Sequence, residues 1–374
     1  MNESYLRKIF LPRFCLWEKI KAGRKLLSFD LEITARCNNN CSHCYINLPA
    51  NDSVARKKEL CLSQIEDISE QSVKLGALWC LVTGGEPLLR RDFPDIYLSL
   101  RKKGLLVSVF TNATLVNKDI VKLFKEHPPR DIEVTVYGVT KETYESVTKK
   151  RGSFKAFIRG LNLLLDSKIR VRLKAVALRS NLKELPEISE FCRKRTKDYF
   201  RFDPFLNLRF DGNQSRNQEI ISQRLSPEEI VAIEKADYER FSVLKKIRNK
   251  FVVSESDQDK RRYIFCCGAG NSSFSVSPEG YFRLCSLLWH PDCVYDLKKG
   301  SLNEAWNKFV PVIRRMRLAS GESLIRCHEC SIIDLCMWCP AQSYLETGKM
   351  NSLVEYFCKI ALKRSEMLHN DEKQ

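Results

Sequence analysis

The sequence predicts an α/β fold, a parallel sheet with packed helices followed by a cysteine-rich C-terminal region. Two observations carry that expectation. From Leu27 to about Arg209, apolar strand-like runs alternate with amphipathic helical patterns six times, the signature of a parallel sheet built from strand–helix repeats. Twelve of the sixteen cysteines crowd into two regions, Cys37–Cys44 and Cys266–Cys358. Hydrophobic residues make up 44% of the 374, enough to bury a real core.

Taken in order, residues 1–26 are a short basic lead-in, too short for a domain. The strand candidates are Leu27–Ile33, Leu78–Val82, Leu105–Phe110, Asp131–Tyr137, Arg170–Val176 and Tyr199–Leu206. Helical patterns lie between them at Ser63–Lys74, Phe93–Lys103, Lys118–Glu126, Ser153–Leu165 and Leu182–Arg195. Six repeats fall short of the eight that close a complete barrel, so the pattern alone leaves an open sheet and a partial barrel as alternatives. This unit is set at residues 27–210. Composition turns polar near Asp211–Ser215, and a helical linker over 211–262 follows. Ser226-Pro227-Glu228-Glu229 opens a helix there, with Ser226 as cap and Pro227 in the first turn. The charged stretch Lys245–Arg262 marks a boundary, and residues 263–374 form a second domain with most of the cysteines.

Met1–Phe10 is mixed and charged, with no apolar signal-peptide core, and no apolar run reaches the length of a membrane span. The expectation is a soluble, cytoplasmic protein without a membrane partner. Thiols in that compartment seldom form structural disulfides, so crowded cysteines point to metal. Cys15, Cys61, Cys80 and Cys192 stand apart and read as scattered buried residues. The formal charge of +17 suggests an anionic partner, nucleic acid or an acidic peptide. The basic residues fall in short scattered runs such as Lys149–Arg151 and Arg314–Arg317, with no aromatic-interleaved stripe. A solvated basic surface is therefore preferred to a nucleic-acid interface.

Directly after the first strand comes Cys37-Asn-Asn-Asn-Cys41-Ser-His-Cys44-Tyr45. Three thiolates in this spacing can hold three irons of a cubane and leave the fourth open to a small molecule. Zinc needs a fourth ligand, and His43 sits between two cysteines at a poor spacing. The second strand ends in Thr83-Gly84-Gly85-Glu86-Pro87. Paired glycines there let a ligand approach the backbone. Pro87 holds Glu86 extended, so that its carbonyl and carboxylate can face the site as acceptors for an ammonium group.

The cysteine loop followed by Gly-Gly-Glu-Pro resembles the radical S-adenosylmethionine (SAM) superfamily. The resemblance implies a partial (β/α)6 barrel with its site at the C-terminal ends of the strands. It further implies a [4Fe–4S] cluster on Cys37, Cys41 and Cys44, SAM chelated at the open iron, and Gly84, Gly85, Glu86 and Pro87 receiving its amino end. Tyr45 would lie near the adenine. Thr135, in Val134-Thr135-Val136-Tyr137-Gly138 at the end of the fourth strand, stands where relatives place a Ser near the ribose or carboxylate of SAM.

In the second region, Cys327-x2-Cys330-x5-Cys336-x2-Cys339 is too tight for a zinc ribbon, whose cysteine pairs are typically ~15–20 residues apart. With Cys267-x12-Gly280-x4-Cys285 before it and Cys358 after it, the segment resembles the SPASM extension of radical SAM enzymes, which holds two auxiliary [4Fe–4S] clusters. It departs from that pattern in having two residues instead of three before Cys339. Carried over, Cys327, Cys330, Cys336 and Cys358 hold an outer cluster, and Cys339 joins Cys267 and Cys285 at an inner one. The fourth inner ligand is Cys266, Cys293 or an open position. Three such clusters would lower the net charge to about +12, because ligating thiols are deprotonated.

The chemistry implied is reductive cleavage of SAM to a 5′-deoxyadenosyl radical, which takes a hydrogen atom from an unreactive C–H bond. An electron donor such as flavodoxin or ferredoxin belongs to that scheme. Segments such as Phe202-Asp203-Pro204 and Cys339-Pro340-Ala341 resemble SPASM proteins that modify peptides, implying a crosslink or thioether in a ribosomally made peptide or protein. No region of leader-binding size precedes the barrel, so a separate leader-binding protein is expected. Formylglycine formation in sulfatases is a rival, but those relatives carry Asp after the Cys of Gly-x4-Cys, where this chain has Ser286. Haem-precursor decarboxylation is another rival. From a different class, a non-enzymatic iron–sulfur or zinc scaffold binding nucleic acid would have no use for Gly84–Pro87.

Overall fold

The computed structural model describes residues 24–248, 263–265, 267–317, 327 and 330–372. Its organising element is a strand with two unlike faces. In β1 (Ser28–Thr34), Phe29, Leu31 and Ile33 are buried towards the helices, while Asp30, Glu32 and Thr34 take the other face. The same alternation recurs in β4 (Asp131–Val136) and β5 (Val171–Val176), where Glu133 and Thr135, then Arg172 and Lys174, share the non-helical face. A parallel strand covered by helices on both sides would be apolar throughout. These strands instead line something polar.

With β2 (Trp79–Gly84), β3 (Leu106–Thr111) and β6 (Arg201–Asp203), the six strands run parallel in the order β1–β2–β3–β4–β5–β6. Laid flat, β1 and β6 would stand roughly 24 Å apart at the usual inter-strand spacing. Asp30 of β1 and Asp203 of β6 nevertheless line one cavity, so the sheet curls around it. This is the partial (β/α)6 barrel. Its outer helices are α1 (Leu62–Lys74), α2 (Phe93–Lys102), α3 (Lys118–Glu126), α4 (Lys141–Thr148), α5 (Ser153–Asp166) and α6 (Leu185–Arg195). The last strand is shorter than its apolar pattern, since Pro204 follows Asp203 and has no N–H to donate.

The sheet does not stop at β1. Strand β7 (Ser273–Val276) pairs parallel with it, Ser28 opposite Ser273 through Leu31 opposite Val276. Strands β8 (Tyr281–Arg283) and β9 (Tyr295–Asp296) continue it antiparallel. A buried ion pair, Arg283 to Glu32 at 2.6 Å, bolts β8 to the barrel's first strand. Cys285 is two residues from that bolt.

Beyond the barrel come α7 (Gln214–Ser222), α8 (Pro227–Ala236), α9 (Tyr238–Arg248), α10 (Pro340–Thr347) and α11 (Glu355–Glu372). Helix α8 starts as its sequence requires: the Ser226 hydroxyl accepts from the Glu229 N–H, and the Glu229 carboxylate accepts from the Ser226 N–H. Helix α11 carries Cys358 and is locked to α8 by Arg364, whose guanidinium meets Glu234 at 2.6 Å with both side chains buried. Arg364 also donates to the Leu335 carbonyl, beside Cys336. Replacing Glu234 by Ala strands this buried cation, which costs about 3 kcal/mol or more. A fall of several degrees in melting temperature is expected, and an unchanged melt would show that α11 is held by apolar packing alone.

Candidate active site

The loop after β1 is tied at both ends. Arg36–Cys37 pairs parallel with Leu48–Pro49, and Arg36 is clamped by Glu59 at 2.7 Å. The N–H groups of Asn40 and Ser42 donate to the carbonyls of Thr148 and Val147, at the end of α4. Arg216 donates to the Cys41 carbonyl at 2.8 Å. Cys37, Cys41 and Cys44 are thus presented by a loop with little freedom, all three lining one cavity at the strands' C-terminal ends.

The glycines of Thr83-Gly84-Gly85 have a physical role of their own. Gly84 has φ +131°, and an added Cβ would land on the Thr34 carbonyl oxygen. At Gly85 it would meet the Ala35 carbonyl oxygen at 2.6 Å. The close approach read in the sequence as room for a ligand is first an approach between two chain segments: β2 must lie this near for the cysteine loop to seat. Both glycines still line the cavity. Glu86 is extended as expected, but its carboxylate does not line the cavity. It accepts from Leu88 N–H, the Thr111 hydroxyl and Asn112 N–H, and burial pushes it up to about 7. Pro87 is buried in the turn that follows.

The cavity measures about 510 Å³. Tyr45 and Thr135 line it with the three thiols, and Lys174 and Asp203 face them from across the barrel. Burial pushes the Cys37 thiol up to about 12, with Glu86 and Cys44 adding to the shift, and also raises Cys41 well above the ordinary thiol value. Three thiolates here need a strongly cationic centre between them. Four buried polar atoms in the loop find no partner among the described residues: the side-chain nitrogen and oxygen of Asn39, the Ser42 hydroxyl and His43 Nδ1. Burial holds His43 near 4 and therefore neutral. Among the described residues no three His, Cys, Asp or Glu side chains converge as a single ion would require. Buried thiols, spare polar atoms and a cavity in front of them fit a polynuclear cluster with a small molecule beside it.

Seven of the C-terminal cysteines fall into two groups. Cys327, Cys330, Cys336 and Cys358 line one small apolar cavity of about 40 Å³, walled by Ile332, Ile333, Trp338 and Val354. Burial pushes the Cys285 thiol up, with Cys267 adding to it, and pushes Cys339 up to about 11, with Cys285 and Cys267 adding to it, so the three lie close together. Cys339 accepts from Gln342 N–H at 3.3 Å, and Gln342 lines the reaction cavity. Cys293 is fully buried, its thiol donating to the Met350 sulfur at 3.8 Å. Cys266 lies outside the described residues, as does Cys15. Cys80 and Cys192 are buried as expected, whereas Cys61 is exposed, because it caps α1 instead of packing beneath it.

Some residues of the cavity were not singled out from sequence. Asn112 reaches Cys37 Sγ at 3.7 Å and Asn38 at 3.0 Å, bridging β3 to the cysteine loop. Tyr45 and Ser286 both line the cavity, so the residue after Cys44 and the residue after Cys285 face the same space.

The radical SAM superfamily pattern matches residues 31–192. Residues 31–192 form a radical SAM domain. The chain is 28% identical over 53% of its length to the Fe-coproporphyrin III synthase of Methanosarcina barkeri, and 26% identical over 70% to the subtilosin biosynthesis protein AlbA of Bacillus subtilis. It spans about half the length of these two curated relatives, 47% and 55%. To the AdoMet-dependent heme synthase of M. barkeri it is 24% identical over 85% of this chain and 92% of that protein. Among solved structures, Streptococcus suis SuiB bound to S-adenosylmethionine shares the fold with a TM-score of 0.66, covering 92% of this chain and 78% of SuiB at 14% identity.

Proposed function

We propose that this radical SAM enzyme carries a [4Fe–4S] cluster on Cys37, Cys41 and Cys44, with auxiliary [4Fe–4S] clusters on the two C-terminal cysteine groups, and that it oxidatively modifies a peptide or protein. The observation that carries the reading is the single cavity. It gathers three thiols, the Gly84–Gly85 backbone, Tyr45 and Thr135, and comes up against Ser286 and Gln342 beside the inner cysteines. The bound cofactors would supply reductive SAM cleavage, hydrogen-atom abstraction and a place for the electron left on substrate. The chain's own part is to hold thiols, exclude water and seat the substrate between the first cluster and the inner group. An electron donor of the flavodoxin or ferredoxin kind and a separate leader-binding protein belong to the same proposal.

Support for a peptide substrate comes from the likeness to AlbA over 70% of this chain. A crosslink or thioether is the reaction that fits. One observation favours a second reading, decarboxylation of a haem precursor: this chain spans 92% of the heme synthase. Among the described residues no helix is long and apolar enough to cross a membrane.

Anaerobic reconstitution with iron and sulfide, followed by SAM and dithionite, tests the proposal through iron content and 5′-deoxyadenosine. Full loading gives about twelve irons, four per cubane. Cys336 and Cys339 are three residues apart but are assigned to different clusters. Cys336→Ala and Cys339→Ala are each expected to lower iron by about four, and the double variant by about eight. A double variant no worse than either single one would put both thiols on one cluster and sink the assignment.

A further inference from the structure

The wall of the reaction cavity opposite the cysteine loop holds a charge arrangement that the cofactors do not explain. Lys174 and Arg201 are direct partners on adjacent strands β5 and β6, two cations side by side on the barrel's inner face. Like charges so placed repel unless an anion lies between them. Glu133 of β4 supplies one: its carboxylate is buried and receives Lys174 at 2.9 Å, Arg201 at 2.9 Å and Arg172 at 3.9 Å. One carboxylate thus serves three cations. Asp203 is the next candidate counter-ion, but it stands 4.0 Å from Lys174 with its side chain 47% exposed. The Arg201 Nε is buried and finds no hydrogen-bond partner among the described residues.

This surplus sits at the edge of the sheet. Strand β6 ends the sheet, and a groove of about 250 Å³ runs along it past Arg201 and Arg240. Asp203 lines both this groove and the larger cavity, with Arg201 on the groove side and Lys174 on the cavity side.

We propose that Lys174 and Arg201 form a carboxylate-binding subsite at the edge of the reaction cavity, which reads an acidic group of the substrate. The inference rests on the reading above only in taking this cavity as the place of reaction. Glu133 anchors the two cations from behind. The loosely held Asp203 carboxylate occupies their front until a substrate carboxylate displaces it. The spare Arg201 Nε–H then gains an acceptor, and a charge-assisted bond replaces an unsatisfied donor. A carboxylate of this kind can come from an acidic side chain of a peptide or from a propionate of a tetrapyrrole.

The test uses reconstituted full-length protein and two probes. Fluorescein-labelled hexaglutamate is titrated by polarisation against hexaglutamine, and coproporphyrin III by its absorbance against its tetramethyl ester. One acidic probe is expected to bind at least about 10-fold more tightly than its uncharged counterpart, and to lose about 10-fold in Arg201→Gln and in Lys174→Gln. Arg201→Lys, which keeps the charge, should recover part of the loss, and iron content shows that each variant is folded. Preference for hexaglutamate identifies a peptide source, and preference for the porphyrin a tetrapyrrole source. Equal binding of charged and uncharged probes overturns the proposal, as does binding indifferent to both residues. It also fails if Lys174→Gln weakens SAM and leaves the probes untouched, since the cation would then serve the cofactor's carboxylate. SAM titration of the wild-type protein, read from the EPR spectrum of the reduced cluster, stands apart. Its failure would remove the radical SAM reading and leave probe binding as measured.

Discussion

Cys41→Ala is expected to abolish 5′-deoxyadenosine formation and to lower iron by about four per chain, with the eight irons of the C-terminal groups retained. Cys41 is the most deeply placed of the three thiols and 6% exposed, held by Arg216 on its carbonyl and by the Ser42 N–H bond to Val147. No other described cysteine shares the cavity with the three of this loop, so none stands ready to replace it. Removing one sulfur from a buried residue opens only a small void, a cost of about 1 kcal/mol by analogy with deleting a methylene. Loss of function should therefore outrun loss of stability. Cys192→Ala is the matched control: equally buried, in the core behind α6, and expected to keep all twelve irons and full cleavage. Cleavage surviving Cys41→Ala would remove the cluster from this loop. Equal loss in both variants would reduce the effect to folding.

Much of this was legible because the signals are local. The strand–helix alternation placed the six barrel strands and five of the outer helices to within a few residues, since each apolar face repeats within one element, but it missed the short α4. The cysteine spacings were legible for the same reason. Direction and curvature were not. That the Glu86 carboxylate engages Thr111 and Asn112 depends on residues 25 and 26 positions away. The strand Ser273–Val276 is four residues long inside a cysteine-rich stretch, and only its partner, β1, makes it a strand. The alternating charges of Arg172, Lys174 and Arg201 stood in plain view, yet basic residues read as solvated surface until the sheet is seen to curl. Once it does, the polar face becomes the inside, and Glu133 becomes a buried carboxylate in need of cations. The cavity that Tyr45 and Ser286 share likewise joins segments more than two hundred residues apart, which no spacing rule reaches.

Gly84→Ala is expected to cost the first cluster without touching any ligand. Two penalties fall on the new methyl group. The backbone sits at φ +131°, a region that costs an L-residue about 1–3 kcal/mol. The Cβ would also overlap the Thr34 carbonyl oxygen, which cannot move aside because Thr34 belongs to β1 and its carbonyl accepts from Gly85 N–H at 2.7 Å. Relief requires β2 to separate from β1 at its end, and that end is where Arg36 and Cys37 begin the cysteine loop. Iron is expected to fall by about four and 5′-deoxyadenosine to become undetectable, as in Cys41→Ala. Gly104→Ala separates the two penalties: its φ of +82° is also unfavourable, but an added Cβ meets nothing within 4 Å. It should lower the melting temperature modestly and keep the cluster. If Gly84→Ala instead binds iron and cleaves SAM like the parent, the pairing of β2 with the loop is not what seats the thiols. The Arg36–Glu59 clamp and the ties to α4 would then have to hold them unaided.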